Sequence, residues 1–236
     1  HPYFPGKEYE KRFTEFDRAR ANALLDGIGL TRRNPQGIRL MADGRPATIE
    51  ISVVPAFGAW PDVALLVAKD WEAVGIKTIV QIRERALHFK MGENNELMAE
   101  IWNEDTSAFP FTGNSKYDPR NNPVMTMGPL WGQWGLTGGK EGAEPPASMK
   151  RIMEIGDLSR AVGPDEQVKL AKEMFRLWVD DMYEVGTIGL TPMVQGVVVV
   201  NAKFQNVPKT VGNDWPLRSP GNARTGGRAS RRRRAG

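Results

Sequence analysis

Between residues 14 and 30 the apolar side chains Ala21, Leu24, Leu25 and Ile28 recur at i, i+3, i+4 and i+7, the spacing of one face of a helix. Asp17 stands where an N-cap belongs and Gly29 where a left-handed residue closes a helix, so the pattern predicts one amphipathic helix. The period then changes to two. Residues 38–41 and 48–54 are short β-prone runs around Ala42-Asp43-Gly44-Arg45-Pro46, with Ile49, Ile51 and Val53 alternating with polar or small residues, which predicts a β-hairpin. Pro61 then takes a first-turn helix position, Val63, Leu66, Val67, Trp71 and Val74 form an apolar stripe, and Gly75 ends it. A strand over 76–82, a short helix over 85–93 and a strand over 97–102 complete the first half.

Hairpin, helix, strand, helix, strand is the order of an α/β layered domain over residues 13 to about 110. In open α/β sheets ligands gather beyond the carboxyl ends of the strands. Trp102 and the residues after it sit at such an end. Residues 103–146 then hold few periodic segments but many Gly, Pro and Asn, a stretch far longer than an ordinary connection and therefore functional or disordered. Beyond it, Met149, Ile152 and Met153 predict one helix, and Val168, Ala171, Met174, Phe175, Trp178 and Met182 a second, opened by Pro164-Asp165-Glu166. Residues 186–190 and 196–200 are β-like, the latter with four consecutive valines suited to a strand buried on both faces.

Composition narrows the chemistry. The absence of cysteine excludes a disulfide framework, a thiolate zinc site and a Cys nucleophile. Two histidines, His1 and His88, are too few for a His-rich metal site, so a metal-free, cofactor-free protein is expected. No apolar run reaches 18 residues, and charges occupy the opening stretch where a signal peptide would be apolar. A chain that begins at His1 reads as an internal fragment or a processed product. The net charge of +4 comes from the end: Arg218, Arg224, Arg228 and Arg231 to Arg234 lie where no Asp or Glu occurs, and the preceding 217 residues are net acidic. Such a Gly/Arg/Ser tail has too little apolar surface to fold. It offers non-specific phosphate contacts at most.

No P-loop, dinucleotide fingerprint or G-x-S-x-G nucleophile motif is present. His88, on the expected helix over 85–93, is read as a helix-surface histidine. The adjacent pairs Glu104/Asp105 and Asp180/Asp181 do not suit the two sides of one reacting bond. An enzyme has no residue set to stand on.

Phe16-Asp17-Arg18-Ala19-Arg20-Ala21-Asn22-Ala23-Leu24-Leu25-Asp26, followed by Gly29-Leu30 and the Asp43-Gly44 turn, resembles the D-x-x-x-A-x-x-L-L-D helix of family 5 extracellular solute-binding proteins. This group includes oligopeptide-, dipeptide- and nickel-binding proteins. Trp71-Glu72-Ala73-Val74-Gly75-Ile76-Lys77 is similar to its W-x-x-x-G-I-x segment, and 138–146 to a segment of its longer members, which bind peptides or oligosaccharides. Thr187-Ile188-Gly189-Leu190, 197–201 and Asn206-Val207-Pro208 are similar to its return to the first lobe.

The resemblance implies the C-terminal lobe of a type II periplasmic-binding-protein-like fold, a fragment of a larger two-lobe protein. Residues 1–12 would be a linker from the N-terminal region, 13–185 the α/β ligand-binding lobe with its long loop 103–146, 186–224 the return segment, and 225–236 a basic tail that departs from the family. It also implies a monomeric, non-enzymatic component, periplasmic or extracellular. That component would capture a peptide or short oligosaccharide and pass it to the permease of an ABC-type importer, to which it would bring no specific nucleic acid.

Trp102-Asn103-Glu104-Asp105 resembles the W-x-x-D segment with which peptide-binding relatives hold a ligand's amino terminus. A carboxylate in a closed cleft makes a charge-assisted hydrogen bond to an ammonium, and the indole supplies a flat apolar wall. The competing reading is a core tryptophan followed by a solvated acidic turn. Trp131 and Trp134, among Gly and Gln, would stack on a pyranose face in a sugar binder, or staple the loop to the body.

Overall fold

The computed structural model describes residues 2–56, 59–102, 110–111, 116–121 and 127–186. Asp17 caps the first helix, accepting from the Arg20 amide at 2.9 Å, and α1 runs Arg18–Gly27. Gly29, at φ 91°, supplies the left-handed turn that ends it. Only part of the predicted stripe is used. Ala21 and Leu25 pack inward with Ala47, Val74, Ile76 and Trp71, whereas Leu24 and Ile28 are exposed.

The expected hairpin keeps its turn but not its first arm. Met41 donates to the Arg45 carbonyl at 2.8 Å and Ala47 to the Arg39 carbonyl at 2.8 Å, and Leu40 bridges Pro46, yet 38–41 is no strand. Its buried residue, Arg39, is instead the hub of a clamp. Its Nε donates to the Val74 carbonyl at 2.8 Å, and its terminal nitrogens to the Asp26 carboxylate at 2.5 Å, the Asn22 side chain at 2.7 Å and the Leu30 carbonyl. The clamp ties α1 to the chain entering the sheet.

β1 (Thr48–Val53) leads into α2 (Trp60–Ala73), β2 (Lys77–Ile82), α3 (Arg85–Glu93) and β3 (Ala99–Ile101). The three strands are parallel in the order β2-β1-β3, with Ser52 opposite Gln81 on one side and Glu100 on the other. Alternation divides β1. Ile51 and Val53 face α2 and pack with Trp60, Ala64, Val67 and Trp71, and Ser52 faces α3. Of the predicted stripe, Val67, Trp71 and Val74 pack inward and Leu66 is exposed, its place taken by the buried Ala64 and Ala68. Small residues let the helix lie close on the sheet. Gly75, at φ 96°, turns the chain from α2 into β2, and the strand predicted over 97–102 is only three residues long.

The second apolar body is helical. α4 (Pro129–Leu136) arises inside the stretch expected to be loop, followed by α5 (Ala147–Leu158) and α6 (Pro164–Asp180). Met149, Ile152, Met153 and Ile155 of α5 interlock with Leu170, Met174 and Trp178 of α6. Met182, predicted on this face, lies past the end of α6 and is exposed. Asp118 and Arg120 fasten the preceding chain to α5: Arg120 bonds Asp118 through Nε at 3.0 Å and Nη2 at 2.7 Å, Asp157 at 2.9 Å and the Met153 carbonyl at 2.6 Å. Burial works against the guanidinium charge, but the carboxylates of Asp118 and Asp157 outweigh it and raise its pKa above the ordinary value. Among the described residues no helix is long and apolar enough to cross a membrane. The return segment beyond Gly186 and the basic tail lie outside them.

Candidate ligand-binding site

The order β2-β1-β3 means that the chain leaves β1 toward one edge and crosses back over it to reach the other. The carboxyl ends of β1 and β3 therefore flank the point where such a sheet opens a crevice. Trp102 directly follows β3 at this place. It is partly buried and, among the described residues, meets the rings of Trp60 from the start of α2 at 5.1 Å between centroids, Phe89 from α3 at 5.3 Å, and His88 at 5.9 Å with planes only 15° apart. The Arg85 guanidinium lies over both Phe89 and Trp102, at 5.2 and 5.5 Å, within cation–π range. These rings and one cation share the carboxyl end of the sheet.

Asn103, Glu104 and Asp105 lie outside the described residues. The segment that would carry the ammonium-binding carboxylate thus begins where the description ends.

His88 corrects the expectation from sequence. Far from lying on the helix surface, it is 1% exposed. Its Nδ1 is 2.9 Å from the Ser52 hydroxyl and its Nε2 2.8 Å from Glu100. As a carboxylate Glu100 only accepts, so Nε2 carries a proton and, in the neutral ring, Nδ1 accepts from the Ser52 O–H. Serine, imidazole and carboxylate in a row invite comparison with a hydrolytic triad. The geometry does not present a nucleophile, however: Ser52 is itself 1% exposed, held next to last in β1 beneath α3, and its hydroxyl faces the His88 ring. Sequence reasoning overlooked this trio although a signal existed, since Ser52 and Glu100 put polar groups on one face of paired strands and buried polar groups require partners.

Trp131 and Trp134 sit on α4, not in a loop. Trp131 packs against the α5/α6 core and meets the Tyr183 ring edge-on at 6.1 Å. Trp134 is partly buried with the Lys150 ammonium over its ring at 5.3 Å. Neither is among the ring contacts of Trp102. A cavity of about 180 Å³, lined by Phe111, Asp118, Asn121, Gly156, Arg160 and Met174, contains none of the Trp102 cluster and is smaller than the roughly 300 Å³ and upward usual for small-molecule sites. No group of three or more His, Cys, Asp or Glu that could hold a metal occurs among the described residues.

No family model matches the chain, and neither does any curated protein. Solved structures do. The chain is similar to the oligopeptide-binding protein OppA, at 27% identity and a TM-score of 0.68, over 77% of this chain and 30% of that one. It is similar to a periplasmic oligopeptide-binding protein of an ABC transporter from Thermotoga maritima, solved with mannohexaose bound, at 17% identity and a TM-score of 0.57 over 77% and 32%. MelB, a periplasmic binding protein from Agrobacterium fabrum C58 in complex with stachyose, matches at 15% and 0.54 over 72% and 25%. These neighbours are family 5 extracellular solute-binding proteins, and the chain has the fold of a portion of one. It spans about a third of their length or less.

Proposed function

We infer that this chain forms one wall of an inter-lobe cleft that captures a peptide or short oligosaccharide without chemical change and delivers it to the permease of an ABC-type importer. The observation that carries this reading is the position of Trp102 just beyond β3, at the carboxyl ends of β1 and β3, within a cluster of rings and one cation. Residues 13–185 are the lobe that supplies the wall and 186–224 the segment leading back to the first lobe. Asp105, three residues after Trp102, is assigned the ligand's ammonium through the W-x-x-D resemblance. Trp131 and Trp134 are retained as a second sugar-stacking surface.

The reading separates two ligand classes. Asp105→Asn keeps shape and removes charge, so in the intact binding protein a tripeptide loses about 1.5–3 kcal/mol, the scale of a hydrogen bond to a charged group, and mannohexaose loses much less. Trp102→Ala removes a wall both ligands use and weakens both. Calorimetry with tri-alanine and mannohexaose distinguishes the cases. Both variants binding like the parent, with Trp102→Ala markedly lowering the melting temperature, would make Trp102 a core residue and end the assignment.

A further inference from the structure

Among the described groups packed on Trp102, Trp60 and Phe89 touch it through rings tilted by 58° and 56°, and Arg85 through a flexible side chain. Such contacts restrict the indole without fixing its plane. His88 differs. It lies within 15° of parallel to the indole, and its own plane is set at both nitrogens, by Ser52 of β1 at 2.9 Å and Glu100 of β3 at 2.8 Å. Ser52 and Glu100 are register partners on adjacent parallel strands, so the imidazole is bolted across the β1/β3 pair just below the crevice. Because His88 and Ser52 are each 1% exposed, water competes little for the bond between them, while the Glu100 end of the anchor reaches solvent.

We propose that His88 is a positioning residue of the ligand site: anchored to Ser52 and Glu100, it holds the Trp102 indole in one plane by parallel stacking, so that the wall a ligand meets is formed before the ligand arrives. This rests on the reading of Trp102 as a ligand wall. The Ser52–His88–Glu100 trio then has a role that needs no nucleophile, and a polar group on each of two paired strands is explained by the ring they support. Preorganisation of this kind raises affinity by removing the cost of ordering the side chain on binding.

The test follows the Trp102 ring itself. The full chain, labelled with 5-fluorotryptophan, gives one fluorine signal for each of its seven tryptophans, and the Trp102 signal is assigned by its loss in W102F. In S52A, E100A and H88F the Trp102 signal is expected to shift and broaden well below the melting temperature, while the Trp178 signal, from the α5/α6 core, stays in place. A purely structural role would lower the melting temperature without moving Trp102 selectively. If H88F fails to fold, S52A and E100A still remove one anchor each. A Trp102 signal unchanged in S52A and E100A overturns the proposal.

Added at millimolar concentration, tri-alanine or mannohexaose is expected to move the parent's Trp102 signal and to bind S52A about 2- to 10-fold more weakly, the scale of one hydrogen bond. Equal affinity in S52A and the parent counts against the proposal. Should neither probe bind this one-walled chain detectably, the fluorine signals without ligand decide whether His88 orients Trp102, and the ligand-wall reading is decided by the Trp102→Ala titration in the intact binding protein.

Discussion

Arg39 shows how a single side chain can substitute for a strand. The run 38–41 has β propensity, but its central residue must bury a guanidinium, and the structure satisfies that charge with the carbonyls of Val74, Leu30 and Asn22 and the carboxylate of Asp26. The planar fork reaches several acceptors at once, which a lysine ammonium or an apolar side chain cannot reproduce. Arg39→Met is expected to cost about 3 kcal/mol or more, since buried carbonyls left without donors cost roughly 1–3 kcal/mol each. Urea unfolding of the two chains measures it. A loss under 1 kcal/mol would show that water replaces the fork and that the clamp is incidental. The same reasoning explains why His88 was misread: its partners stand 36 and 12 positions away in sequence, so a window on its own helix shows a lone histidine. The polar positions Ser52 and Glu100 were visible, but only the strand pairing puts them on one face.

Helices and strands were legible wherever local chemistry decides them. Asp17, Pro61, Gly29, Gly75 and Pro164 mark boundaries through caps and special backbone angles, and the structure uses each. Which side of a helix is buried was less legible, because neighbouring apolar residues offer several overlapping stripes and tertiary contact selects one. On α2 the sheet selects Ala64 and Ala68 and leaves Leu66 at 64% exposure. On α5 the stripe is unambiguous and Ile152 is fully buried. Ile152→Ala should therefore cost about 2–5 kcal/mol, and Leu66→Ala no more than about 0.5 kcal/mol. A comparable loss for both in denaturant titrations would mean that the exposed face of α2 is covered in solution.

α3 carries a pH-dependent cap. The Glu84 carboxylate accepts from the Ala86 and Leu87 amides at 2.8 and 3.1 Å, and these two bonds hold its pKa below the ordinary carboxylate value. A carboxyl whose pKa is lower in the folded chain stabilises the fold above its unfolded pKa and loses that contribution as the pH falls through the folded value. Glu84→Ala should thus lower the melting temperature at neutral pH, by an amount that shrinks on acidification through the carboxylate range. A difference independent of pH would assign the effect to helix propensity. Because α3 also carries His88, Phe89 and Arg85, a firm first turn bears directly on the Trp102 cluster.

Among the described residues the apolar groups divide between a sheet flanked by α2 and α3 and the helical pair α5/α6, and Trp102 is only partly buried. Small-molecule sites usually bury 70–90% or more of their ligand, and a shelf made of Trp60, Phe89, Arg85 and Trp102 can cover one face of a sugar or peptide. A micromolar dissociation constant requires about 8 kcal/mol, which must be net of the ordering and association costs that a partial site still incurs. The chain of residues 1–236, titrated alone with tri-alanine or mannohexaose in a calorimeter, should accordingly bind more weakly than about 0.1 mM, or roughly 5.5 kcal/mol. The chain spans about a third or less of the neighbours with similar folds, and the proposed reading assigns the second wall to the remaining length. Joining that length to it should strengthen binding through closure of two lobes on one ligand. Sub-micromolar affinity from this chain alone would locate a complete site within it, with no need of another lobe.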